Sequence, residues 1–150
     1  MRTKISDVFD MALVSIQDYR LNKLYQKSPE AWENYLYGFL SLAVADFDDC
    51  LQPLDYDKVT GEFTSNLTIT EKMILSRWIV YEWFVREVND VLQFKTKLND
   101  NDFKHYSEAQ NLQQKSEYRD RTREIVMQMM VDYEKNNIDY RKWANGDFGI

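Results

Sequence analysis

The sequence predicts an all-α fold: a small helical bundle with a central buried helix, a long C-terminal helix, a short β-hairpin excursion and an extended C-terminal arm. Three observations lead there. Only 4 glycines and 2 prolines punctuate 150 residues that are 44% hydrophobic, so the elements are few and long. Apolar residues recur at helical spacing through much of the chain. Residues 67–88, LTITEKMILSRWIVYEWFVREV, join a helix-start signal to almost unbroken apolar character.

In that stretch Thr68 and Glu71 form a Thr-x-x-Glu capping box, in which hydroxyl and carboxylate each satisfy an amide left over at the helix start. Between Met73 and Val85 only Ser76, Arg77 and Glu82 are polar. At about 100° per residue the apolar side chains surround the whole helix, as in a core helix touched on all sides. It is too short and too charged for a membrane span, which needs ~20 mostly apolar residues. Trp78 and Trp83 are therefore expected in the core.

Upstream, Ile5, Val8, Phe9, Ala12, Leu13 and Ile16 make the stripe of an amphipathic helix over 6–18, with Ser6 and Asp7 at its start. From Tyr19 to Lys27 the pattern weakens, with Leu21, Leu24 and Tyr25 able to anchor a short extra turn. Ser28 then offers an N-cap and Pro29 suits the first helical position, where its missing N–H is harmless. The buried face of this second helix reads Trp32, Tyr35, Leu36, Phe39, Ala43 and Phe47. It should end among Asp46, Asp48 and Asp49, which are unfavourable at a negative helix terminus.

Over 48–66 the helical period is lost, and DYDKVTGEFT suggests a short hairpin around a Lys-Val-Thr-Gly turn. A lone hairpin is marginal and must lean on the body or on another chain. Asp55, Asp57, Lys58, Glu62 and Phe63 are the candidate loop for lining a channel, a lumen if the chain forms a ring, or for meeting a partner. The aspartates do not fit a calcium loop, since no register places glycine sixth and glutamate twelfth. KLNDND at 97–102 reads as a loop in which Asp100 or Asp102 caps a long helix over about 103–134, ~45 Å at 1.5 Å per residue. Its first half is polar, with Glu117 and Arg121 at i,i+4. Ile125, Val126, Met129, Met130 and Tyr133 give the second half a buried face. Asn136 and Asn137 end it, dividing a helical domain, 1–135, from an arm, 136–150, rich in aromatic residues.

A chain of this length is a single domain burying roughly two thirds of its unfolded surface. The net charge of −6 opposes sequence-independent attachment to DNA phosphates, although DNA can slide past an acidic surface without sticking. Cys50 is the single cysteine, so no internal disulfide forms, and the charged, amphipathic N-terminus is not a signal peptide. A cytosol-like compartment, or a particle assembled there, is expected.

Chemistry is sparse. His105 is the single histidine, with no nucleophile motif around it, and a dinuclear metal site of two Glu-x-x-His pairs is excluded. The scattered glycines form no phosphate loop, and no cysteine cluster exists for zinc. Glu82, among aromatic and apolar neighbours, is open to two readings: a raised pKa suited to a general acid, or, the commoner case, a buried carboxylate paired with Arg77 or Arg86. No catalytic residue, metal or cofactor is expected.

YDKVTGEFTSNLT, TEKMILSRWIVYEWF, NDNDFKHYSEAQNLQQKSEYRDR and the tyrosine-ended MMVDYEK follow one another between Tyr56 and Tyr133, about half of the 150 residues. In order and pattern this resembles the small helical head-tail connector, or neck adaptor, proteins of tailed bacteriophages. The resemblance implies a structural virion protein at the neck, assembled in the host bacterial cytoplasm. It implies a ring, commonly of twelve copies, between the portal protein and a downstream neck or tail protein, with DNA passing through the lumen without specific binding and no membrane involved. Tyr140, Trp143, Phe148 and Ile150 are the candidate docking residues of the arm, either on a neighbouring chain or folded back on their own domain. An intracellular helical adaptor or regulator of one protein partner is the alternative, and an enzyme using carboxylates a third.

Overall fold

The computed structural model describes residues 1–16, 27–97, 107–137 and 146. Four helices are present among them: α1 (Ile5–Ser15), α2 (Pro29–Asp46), α3 (Ile69–Lys97) and α4 (Ser107–Asn136). Between α2 and α3 lies a two-stranded antiparallel sheet of β1 (Tyr56–Asp57) and β2 (Glu62–Phe63). The molecule is mostly helical, as the sparse turn formers require.

Several of the helix boundaries have a local cause. In α1 the buried stripe is Ile5, Val8, Phe9, Ala12 and Ile16, with Leu13 partly covered. Its start differs from expectation: the N-cap is Lys4, whose side chain makes no capping bond. The first turn is anchored instead on the hairpin. The Ile5 amide donates to the Gly61 carbonyl at 2.9 Å, Thr3 exchanges backbone bonds with Phe63 and Ser65, and Lys4 bridges Glu62. Residues 3–5 thus extend the small sheet, which gives the hairpin the support a two-stranded unit lacks.

For α2 the cap is as read: Ser28 Oγ accepts from the Ala31 amide at 3.2 Å ahead of Pro29. Its buried face is Leu36, Tyr37, Phe39, Leu40 and Ala43, followed by Phe47 just past the helix. Trp32 and Tyr35 are only partly covered, so the face is rotated from the expected one toward Tyr37 and Leu40. Tyr37 stands edge-on to Phe9 at 5.4 Å and stacks on Tyr56 at 5.9 Å, so its position is set by α1 and the hairpin rather than by α2's own period.

The α3 capping box is closed in both directions. The Glu71 amide donates to Thr68 Oγ1 at 3.2 Å and the Thr68 amide to Glu71 Oε1 at 2.8 Å. This helix packs against each of the other three. It buries Ile74, Leu75, Trp78, Ile79, Val80, Trp83 and Val88, while Ile69 and Met73 are exposed and Tyr81, Phe84 and Val85 half-buried. Cover on all sides, the sequence expectation, is therefore incomplete.

On α4 the second half packs through Thr122, Val126, Met129, Met130 and Tyr133. Ile125, expected in that face, is 41% exposed. Arg121 does not pair with Glu117: it lies over the Tyr118 ring at 5.9 Å, and Glu117 accepts from Gln113. The helix ends where the asparagines predicted, with Asn137 Nδ2 donating to the Tyr133 carbonyl at 2.6 Å. Among the described residues no helix is long and apolar enough to cross a membrane. The expected Asp100 or Asp102 cap and His105 lie outside the described residues, as does nearly all of the weakly patterned stretch before Ser28.

Candidate interaction sites

The hairpin loop is a turn closed by its own hydrogen bonds. The Asp57 side chain accepts from the Val59 amide at 2.8 Å and its carbonyl from the Gly61 amide at 2.9 Å, with Gly61 at φ 70°. That left-handed conformation is open to glycine without a Cβ penalty. Asp55, Asp57 and Lys58 are exposed and Glu62 half-buried. Lys58 bends back, its Nζ 5.2 Å from the Tyr37 ring centre. Val59, 95% exposed, is what the turn presents. Phe63 corrects the sequence reading. It is fully buried, edge-on to Tyr56, and anchors the hairpin to the core instead of facing a partner.

Glu71 and Glu82, both on α3, sit in opposite electrostatic settings. Burial alone would raise the Glu71 pKa, but the Thr68 amide, Tyr133 hydroxyl, Cys50 thiol and Gln52 amide all donate to the carboxylate and hold it below the usual value. This knot ties the start of α3 to the loop after α2 and to the end of α4. Burial raises the Tyr133 hydroxyl and pushes the Cys50 thiol up to about 11, so neither is a ready nucleophile.

For Glu82, burial and the adjacent Asp46 carboxyl push the pKa up to about 7. Of the two readings the sequence allowed, the raised pKa holds. Among the described residues Arg86 instead lies over Tyr35 at 4.9 Å and near Asp90 at 3.9 Å. With both carboxylates ionised, buried Asp46 Oδ2 has no donor, and a proton on Glu82 supplies one. A carboxyl raised in the folded state adds stability below its unfolded pKa, and that stability is lost as pH rises toward 7. Glu82→Gln is accordingly expected to stabilise the protein at pH 8 by ~1 to 2 kcal/mol, discounted for solvent screening, and to change little at pH 5. Thermal melts at the two pH values check this; equal shifts at both would contradict the pairing.

A third feature escaped sequence reasoning. A cleft of about 570 Å³ opens between the end of α1, α3 and α4, walled by Val14, Trp83, Phe84, Tyr118 and Ile125. Phe84 and Tyr118 stack at 5.9 Å. Arg77, Lys115 and Arg121 line it, and no carboxylate does among the described residues. Lys115 is bonded to buried Glu87 at 3.1 Å. Trp83 is 6% exposed, yet its Nε1 is a buried donor with no acceptor. The interleaved arginines and aromatics were visible in the sequence, but they are distributed over two helices whose facing only packing fixes.

Tyr140, Trp143, Phe148 and Ile150 lie outside the described residues, so the arm is known here by sequence. No group of His, Cys, Asp and Glu suited to a metal ion occurs among the described residues. Comparison with protein-family models, curated proteins and solved structures finds no match to this chain.

Proposed function

We propose that this chain is a structural virion protein, a head-tail connector or neck adaptor that forms a ring between the portal and the next neck or tail component, with DNA passing through the lumen. The observation that carries the reading is two-sided apolar exposure on α4. Tyr118 and Ile125 are exposed on one side, and Met127 and Val131 are exposed at 41% and 44%. At about 100° per residue the two pairs point to roughly opposite sides of the helix. A ring subunit needs two different adhesive faces, because a head-to-tail interface joins unlike surfaces around the circle. A regulator gripping one partner needs one. The order of features from Tyr56 to Tyr133, resembling that of neck adaptors, points the same way, and α3 serves as the hub that holds both faces in register.

In this reading the acidic turn at Asp55 and Asp57 faces the lumen, where repulsion lets a duplex slide, and no residue is catalytic. The arm supplies closure between neighbours. Deleting 138–150 is expected to leave helical content and melting temperature nearly unchanged while preventing assembly into a ring of about twelve copies on a portal complex. Native mass measurement and circular dichroism read the two effects. A deletion variant that still assembles, or that loses its fold as a monomer, would show the arm is not an assembly device. A single copy bound per complex would favour the adaptor alternative.

A further inference from the structure

We propose that the cleft between α1, α3 and α4 is the receptor for the C-terminal arm of a neighbouring copy, with the Asp147 carboxylate set against Arg77 and Arg121 and the Phe148 ring seated on Phe84 and Tyr118. The inference rests on the ring reading and adds to it the surface that receives the arm.

Charge complementarity argues for this occupant. The protein carries a net charge of −6, yet the described lining of this cleft holds cations and no carboxylate. Arg77 is half-buried and makes no ion pair or hydrogen bond among the described residues. Holding a guanidinium partly out of water without a counter-charge is unfavourable, and an incoming carboxylate removes that cost. The arm places a carboxylate beside an aromatic ring at Asp147-Phe148, with no cation between Trp143 and Ile150, whereas after Asp139-Tyr140 the adjacent Arg141 and Lys142 offset the charge. A ring pocket edged by arginines matches that pairing of groups.

Trp83 gives a second, independent pointer. The Trp83 side chain belongs to the cleft wall, and its buried indole N–H lacks an acceptor. Such a donor is normally satisfied in native structures. A backbone carbonyl of a segment laid along the cleft would satisfy it once a small shift of the wall uncovers the N–H. The ten peptide steps from Asn137 to Asp147 span at most ~33 to 36 Å, shortened by the turn at Gly146, where φ is 84°, and that length is what the arm has for reaching a neighbour's cleft.

The test uses the full chain carrying the substitution Phe148→p-benzoylphenylalanine, mixed with isotopically heavy copies, assembled and irradiated. Light-to-heavy crosslinks into 77–84 or 114–125 are expected. Arg77→Glu with Arg121→Glu should cut their yield about tenfold, and adding Asp147→Lys should restore it. Trp83→Phe, which keeps a six-membered aromatic ring but removes the N–H, should lower the yield severalfold while circular dichroism and the melt show that the fold survives the smaller side chain. Crosslinks within one copy, crosslinks elsewhere on a neighbour, or yields indifferent to charge reversal would overturn the proposal. A ring that forms and needs its arm, but shows no cleft crosslinks, leaves the connector reading standing and removes this inference. Absence of any ring removes the connector reading.

Discussion

Truncating Trp78 to alanine should cost ~3 to 5 kcal/mol, a large share of the ~5 to 15 available to a domain. The indole is 5% exposed, stands edge-on to Tyr81 at 5.4 Å, and donates through Nε1 to Met130 Sδ at 3.2 Å. It is thus a joint between α3 and α4 as well as filling. Removing it leaves a void at the most extensive helix contact among the described residues, where collapse of the surroundings is hindered by the length of both helices. Denaturant midpoints should fall accordingly, and the variant should aggregate on expression at 37 °C. A parent-like melt would show that α3 does not organise the core.

Loss of Glu71 should be comparably severe. The side chain is 2% exposed and accepts from four groups. Glu71→Ala deprives Tyr133 and Gln52 of their acceptor and the Thr68 amide of its cap, for an expected cost of about 3 kcal/mol or more. Tyr133→Phe removes one bond to the charge and should cost ~1.5 to 3 kcal/mol. The two changes should be strongly non-additive in a double-mutant cycle, since both remove the same bond. A carboxyl held low in the folded state adds stability above its unfolded pKa, near 4.3, and loses it as pH falls. Acid unfolding should therefore start at higher pH in Tyr133→Phe than in the parent. An unchanged acid limb would mean the bond contributes nothing to holding the carboxylate ionised.

These residues also mark where sequence reading stops. The bond between Thr68 and Glu71 was legible because both partners lie within one turn and the motif names their roles. The bond from Tyr133 to the same carboxylate was not, since the two are 62 positions apart and nothing local in either helix sets their approach. The same limit explains α2. Its period alone selects Trp32 and Tyr35, whereas contacts with α1 and the hairpin rotate the face toward Tyr37. Phe63 was misjudged because a two-residue strand has too little alternation to tell its inner face from its outer one. The cleft needed three helices in place before a buried indole N–H without an acceptor could be recognised.

The pairing of residues 3–5 with 61–65 bears on how the chain is made. Thr3 Oγ1 accepts from the Leu67 amide at 2.7 Å across 64 positions, so the N-terminal helix has no seat until the hairpin and the start of α3 have left the ribosome. At ~5 to 20 residues per second, α1 waits several seconds with its apolar stripe uncovered. Nascent chains stalled before residue 70 should consequently be caught by chaperones, and those released beyond α3 should escape them.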